Sequence, residues 1–211
     1  MLKTLAFIID IFFPPTKEEL LIRALSPQDF EKRVHKAPPC PLPFASSLFA
    51  YKDPLVRELI WQIKYKKNRH AAQIAAHALH KALDKRLLEF TSPITLIPIP
   101  ISKKRRRERG YNQCELIIDE IVKLDAEKKF LRDYSLLIRS KHIERQTLKG
   151  RAERLKNAKG IFEVRKKADC EVAMKIILID DVVTTGSTMK EARDTLLASR
   201  YSDVSAMTIA H

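Results

Sequence analysis

Apolar residues change their spacing several times along this chain, and each change marks an element. From Asp53 onward Leu55, Leu59, Ile60 and Ile63 recur at helical intervals. Pro54 suits the first turn of that helix and Asp53 suits its cap. Ala71 to Leu88 reads as a second, alanine-rich helix. Thr95 to Pro100 is a short apolar run broken by prolines, which predicts a strand entering a stiff loop. Asn112 can cap a helix over Cys114 to Leu124, and Ser135 to Ile138 reads as a short strand. Lys175 to Ile179 holds an unbroken Ile-Ile-Leu-Ile, the composition of a buried strand. A helix over Ser187 to Ser199 and a closing strand over Val204 to Ile209 follow. Strands alternating with helices predict an α/β fold, a mostly parallel sheet with helices on both faces.

Two stretches lack a period. Residues 1 to about 50 are proline-rich (Pro14, Pro15, Pro27, Pro38, Pro39, Pro41, Pro43) and read as irregular. Residues 139–160 are polar and basic, and predict a mobile loop with one helix from Gly150 to Lys159. The division expected is an N-terminal helical or irregular docking region, a hood, over residues 1–90 and a core over residues 91–211.

With 211 residues, 45% of them hydrophobic, the chain can fill one well-packed domain with an appendage. No apolar run is long enough to span a bilayer. Met1 to Phe13 carries Lys3 and Asp10 and meets Pro14-Pro15, so an amphipathic helix docked on the body is expected rather than a signal peptide. A soluble, cytoplasmic protein follows from that reading. Cys40, Cys114 and Cys170 lie far apart with no CxxC, so reduced thiols are expected. The net charge is +14, which directs the chain toward polyanions. The charge gathers at Lys103 to Arg109 and again from Arg139 to Lys159. Aromatics make up only 7% of the chain, which offers no obvious base-stacking platform; Tyr65 and Tyr111 are the aromatics near the basic runs.

The most informative stretch is Ile176 to Thr188. An all-apolar strand ends in Asp180-Asp181, and a turn of small hydroxyl residues surrounds Gly186 before a helix begins. In open α/β sheets, ligands bind where strands end, and a helix start presents backbone N–H groups to an anion. Thr184, Thr185, Ser187 and Thr188 add hydroxyls, and Gly186 lets the backbone close around a phosphate. Two acids beside an anion cradle make sense when the ligand also carries hydroxyls or a divalent cation. A ribose phosphate does, with its 5′-phosphate in the turn and its 2′- and 3′-hydroxyls at Asp180 and Asp181.

Those thirteen residues resemble the phosphoribosyl pyrophosphate motif of type I phosphoribosyltransferases. Pro98-Ile99-Pro100, the basic run and Arg107-Glu108-Arg109-Gly110-Tyr111-Asn112-Gln113 resemble ComF-family competence proteins, as do Arg139, Gln146-Thr147-Leu148, Glu153-Arg154, Asn157 and Phe162. Ile9 to Pro15 resembles that family's opening. Its usual N-terminal four-cysteine zinc module is missing, since Cys40 and nearby His35 cannot close a tetrahedral site, so no zinc is expected.

The resemblance implies the type I phosphoribosyltransferase fold and a phosphoribosyl pyrophosphate ligand bound with Mg2+, the metal coming with the ligand. It implies pyrophosphate contacts at Ile101, Ser102 and Lys103, with Arg109 and Arg154 adding charge. It implies that Asp180 and Asp181 hold the ribose beside the positive charge that builds as pyrophosphate leaves. Two functions remain open. One is a phosphoribosyltransferase with an unassigned acceptor, linked to DNA uptake and natural transformation. The other is a non-catalytic phosphoribosyl-pyrophosphate-binding protein that handles single-stranded DNA or regulates a partner, such as a competence helicase or another DNA-uptake protein. The oligomeric state is open under either.

Overall fold

The computed structural model describes residues 15–87, 93–140, 160–165 and 174–211. The expected helix over Met1 to Phe13, the candidate residue Arg154, the family-resembling Gln146, and the expected helix from Gly150 to Lys159 lie outside the described residues.

The N-terminal stretch is more ordered than its prolines suggest. Helix α1 (Lys17–Ala24) starts where the Thr16 hydroxyl accepts from the Glu19 amide, and α2 (Pro27–Arg33) starts at the Ser26 cap with Pro27 in its first turn. Proline interrupts a helix only past the first turn, so Pro27 is a start signal here. Strand β1 (Ala45–Phe49) follows. Its Ala-Ser-Ser-Leu-Phe sequence carries no clear alternation, and it exists because it pairs in parallel with the last strand of the chain, Ala45 opposite Ala206 and Phe49 opposite Ala210.

Helices α3 (Pro54–Tyr65) and α4 (Arg69–Leu87) match their expected positions, and the Asp53 carboxylate caps α3 at the Leu55 amide. Strand β2 (Ile94–Pro98) is buried throughout. The basic run then coils into a short helix with no buried residue, α5 (Lys103–Arg109), exposed except for the half-buried Arg109, capped by Ser102 and closed by Gly110 at φ +77°. Helix α6 (Gln113–Leu124) starts at Asn112 as expected. Strands β3 (Phe130–Arg132), β4 (Leu137–Arg139) and β5 (Phe162–Val164) follow, the last two forming a separate antiparallel pair. Strand β6 (Ile176–Val182), helix α7 (Ser187–Ala198) and strand β7 (Val204–Ala210) complete the chain.

The main sheet is parallel, in the order β1-β7-β6-β2-β3. Residues of β6 alternate between two cores. Ile177 and Ile179 join the cluster with α3, α4 and α6, while Ile176 and Leu178 join the one with α7 and the β4–β5 pair. Helices therefore cover both faces, which is why β6 reads as a continuous apolar run. The chain leaves β2 toward β3 on one side and leaves β6 toward β7 on the other. The crevice between β2 and β6 is thus the topological switch point, where ligands bind in such sheets.

The expected boundary at residue 90 is not a break in packing. Ile22, Phe30, Phe49 and Leu59 share one buried cluster with Leu96, Ile117 and Ile177, and β1 belongs to the main sheet. Phe30 is fully buried, with its ring edge-on to Phe49 at 5.6 Å. Phe30→Ala should therefore cost about 3 to 5 kcal/mol and lower the midpoint of a single urea transition. A separate early transition that leaves the main one in place would show that α1, α2 and β1 are a loosely docked appendage.

Candidate functional site

The site grows from the ends of β2 and β6. The Ile99 amide donates to the Ile179 carbonyl at 2.9 Å, so the loop Ile99–Ser102 starts beside Asp180. Ile101 and Ser102 are half-buried and Lys103 is exposed. The Ser102 hydroxyl accepts from the Arg105 amide at 3.2 Å and is thereby committed to starting α5.

Each residue of Arg109-Gly110-Tyr111-Asn112-Gln113 has a distinct place. Gly110 takes the left-handed turn that ends α5. The Tyr111 hydroxyl donates to the Ile63 carbonyl and accepts from the Lys67 amide at 3.1 Å, fastening this segment to the end of α3. Asn112 donates to the Ile99 carbonyl and caps α6 at the Cys114 amide, both at 3.0 Å, so one side chain fixes the loop after β2 and the helix that backs it. The Arg109 guanidinium donates to Gln113 Oε1 at 3.0 Å and stacks over the Tyr65 ring at 4.9 Å. Gln113 in turn donates to Asp181 Oδ2 at 3.0 Å.

The two carboxylates are held in different ways. Asp181 is buried, and its Oδ2 takes both the Gln113 amide and the Lys64 ammonium, each at 3.0 Å. Asp180 Oδ1 accepts from the Asp181 amide at 2.9 Å and from the Cys114 thiol at 3.5 Å. One oxygen of each carboxylate lies outside these contacts, enough to accept from two vicinal hydroxyls. Burial, then the adjacent Asp181 charge, push the Asp180 carboxyl up to about 7, against lowering by the Asp181 amide and by Lys64. Burial, then the two aspartates, push the Cys114 thiol up, so it stays a donor and not a nucleophile.

Beyond the acids the chain turns at Thr184 and Thr185, both exposed, and reaches Gly186 at φ +74°. Gly186 is the N-cap of α7, and no side chain caps that helix. Side-chain oxygens cap α1, α2, α3, α5 and α6, so the α7 start is the one left open to an incoming anion among these. The Thr185 and Ser187 hydroxyls lie 3.1 Å apart, and Thr188 is half-buried behind them. A Cβ on Gly186 would approach Leu42 to 2.6 Å, so the Pro41–Pro43 segment backs the turn closely.

Asp180, Asp181 and Thr184 to Thr188 thus follow one another along the end of β6, the turn and the start of α7. The loop Ile99–Ser102 leaves the neighbouring β2 beside them, Lys103 opens α5 in solvent, and Arg109 reaches Asp181 through Gln113. Lys64, Gln113 and Cys114 are additions that the motifs did not assign. Lys64 sits on the half-buried edge of α3, beside the apolar Ile60 and Ile63, and a polar residue on that face was the available signal.

The chain is similar to ComF-type competence proteins. It is 37% identical over 115 residues to Competence protein ComFC of Bacillus subtilis, covering 54% of this chain and 43% of the relative. Against Competence protein F of Haemophilus influenzae it is 28% identical over 138 residues, 65% of this chain and 58% of the relative. DNA utilization protein YhgH of Shigella flexneri is 26% identical over 152 residues, 70% of this chain and 63% of that protein. The chain spans about half the length of the curated ComF-type relatives it matches. No family model matches it. A hypoxanthine phosphoribosyltransferase of Staphylococcus aureus superposes with a TM-score of 0.41 at 12% identity, covering 67% of this chain and 63% of the enzyme.

The acid pair makes stability depend on pH with a definite sign. The folded state raises the Asp180 carboxyl from 3.8 to about 7, so it retains a proton that the unfolded chain gives up. That contribution is complete below about pH 4 and is lost as pH rises through the folded value. Asp180→Asn, which cannot ionise, should match the native melting temperature at about pH 3.5, begin to exceed it by pH 5 and exceed it by several degrees at pH 8. A gap that does not widen with pH would mean the acids are not in this environment.

Proposed function

We propose that this chain binds phosphoribosyl pyrophosphate at the β2–β6 switch point, as a phosphoribosyltransferase-like protein of ComF type serving the uptake or use of external DNA. The observation that carries the reading is one continuous strand–turn–helix unit. In it, two carboxylates with free oxygens stand a few residues from an uncapped helix start.

The residues fit the ligand part by part. The open α7 amides with Thr184, Thr185, Ser187 and Thr188 suit a 5′-phosphate, and the positive end of the helix favours its charge. Asp180 and Asp181 suit the ribose diol. The loop Ile101 to Lys103 suits a pyrophosphate approaching from β2, with α5 adding positive potential. Arg154 belongs to the same proposal by its motif. Mg2+, carried by the ligand, would balance pyrophosphate charge when bound. If a transfer occurs, the carboxylates lie where charge grows on the ribose and the phosphate turn holds the sugar in place.

Calorimetric titration with phosphoribosyl pyrophosphate and Mg2+ tests the reading. Micromolar-range binding by the native chain, lost by at least about a hundredfold (~2.7 kcal/mol) in Asp180→Ala/Asp181→Ala, is the expected result. Equal affinity in the double variant would place the ligand elsewhere.

The exposed basic helix favours a second role in contacting single-stranded DNA, because α5 buries none of its residues. Replacing Lys103, Lys104, Arg105 and Arg107 by Ser should weaken single-stranded DNA binding and reduce its salt slope by up to about 3. An unchanged slope would make α5 a solvated face.

A further inference from the structure

The contact least explained by folding is the one between Lys64 and Asp181. Lys64 occupies the side of α3 next to the buried Ile60 and Ile63, and its side chain is only 21% exposed. The Asp181 side chain is 7% exposed. An ion pair so enclosed costs desolvation on both sides, and an apolar pair of similar volume commonly serves stability as well or better. Stability therefore does not account for a lysine at this position.

The surroundings do. Lys64 also lines a cleft of about 730 Å3 with Tyr51, Arg57, Trp61 and Tyr65, so its stem runs from an open cleft to the ribose site. From the other direction, Gln113 reaches the same Oδ2 of Asp181. Two donors from two different helices thus clasp one carboxylate oxygen and fix the carboxyl group's rotation. The groups facing the acids from the packed elements are Lys64 on α3 and Gln113 and Cys114 on α6, with Arg109 acting behind Gln113. Among these, Lys64 is the cation in direct contact with an acid.

We propose that Lys64 is a positioning residue of the ribose site: with Gln113 it orients the Asp181 carboxylate, and it supplies the positive charge that lets two adjacent acids stand ready for a sugar diol. The proposal rests on the phosphoribosyl reading for the ligand, but the arrangement of the acids is testable without any ligand. Lys64 acts through Asp181 and does not itself need to touch the sugar. Its charge also lowers the Asp180 carboxyl, so removing it leaves Asp180 protonated over more of the neutral range. A protonated carboxyl keeps one acceptor fewer for the diol.

The experiment pairs two readouts on the full chain and on Lys64→Met and Lys64→Arg. Carboxyl 13C NMR follows the Asp180 titration without ligand, and calorimetry follows affinity for phosphoribosyl pyrophosphate with Mg2+ at pH 6, 7 and 8. In Lys64→Met the Asp180 titration should move up by about one unit, and affinity at pH 7 should fall about tenfold. Much of that loss should return at pH 8, where the acid ionises again. Lys64→Arg should keep both readouts within about threefold of the native chain, since it preserves charge and donor. A folded Lys64→Met with unchanged titration and affinity overturns the proposal. So does an equal, pH-independent loss in both variants, which would mark damage to packing. If the native chain binds no phosphoribosyl pyrophosphate while the Asp180 titration still shifts, the ligand reading falls and the role of Lys64 in holding the acids stands.

Discussion

Two carboxylates side by side at the end of an apolar strand are the constraint around which this molecule is arranged. Adjacent acids repel each other, and burial penalises their charge. The chain offsets this with groups from three separate places: the ammonium of Lys64 from α3, the amide of Gln113 and the thiol of Cys114 from α6, and the backbone of β6 itself. None of these donors would stand there unless α3 and α6 were packed on the same face of the sheet. The acid pair thus ties the placement of two helices to the chemistry of one strand end.

The segment Arg109 to Gln113 is the means of that placement. Its glycine turns the chain, its tyrosine fastens to the end of α3, its asparagine holds the loop after β2, and its glutamine reaches the acid. A run that looks like a recognition motif in sequence is here largely a bracket that fixes the geometry of the neighbouring loops. Under the proposed reading, recognition of the ligand falls to the parts left open: the uncapped start of α7, the loop after β2 and the free carboxylate oxygens.

Much of the frame was legible because its signals are local. The Asp53-Pro54 start, the Asn112 cap and the Ile-Ile-Leu-Ile strand each follow from a short window of residues. The regions missed are those whose order depends on distant partners. Residues 45–49 become a strand only by lying against residues 206–210, and Ser-rich edge strands carry little pattern of their own. Helices α1 and α2 did have caps at Thr16 and Ser26, but the surrounding prolines obscured them. The same limit applies to β5, whose partner β4 lies more than twenty residues earlier.

By itself the sequence determined the α/β class, the strand–acid–turn–helix unit over residues 176–188 and the polyanion-seeking charge, because periodicity, capping and net charge are properties of residues close together in the chain. Tertiary structure alone decided that residues 15–87 belong to the body of the sheet and its core. It alone decided that Lys64, more than a hundred residues from Asp181, completes the acid pair. Pairing of a buried charge is set by which faces pack together, and no local window of the sequence records that.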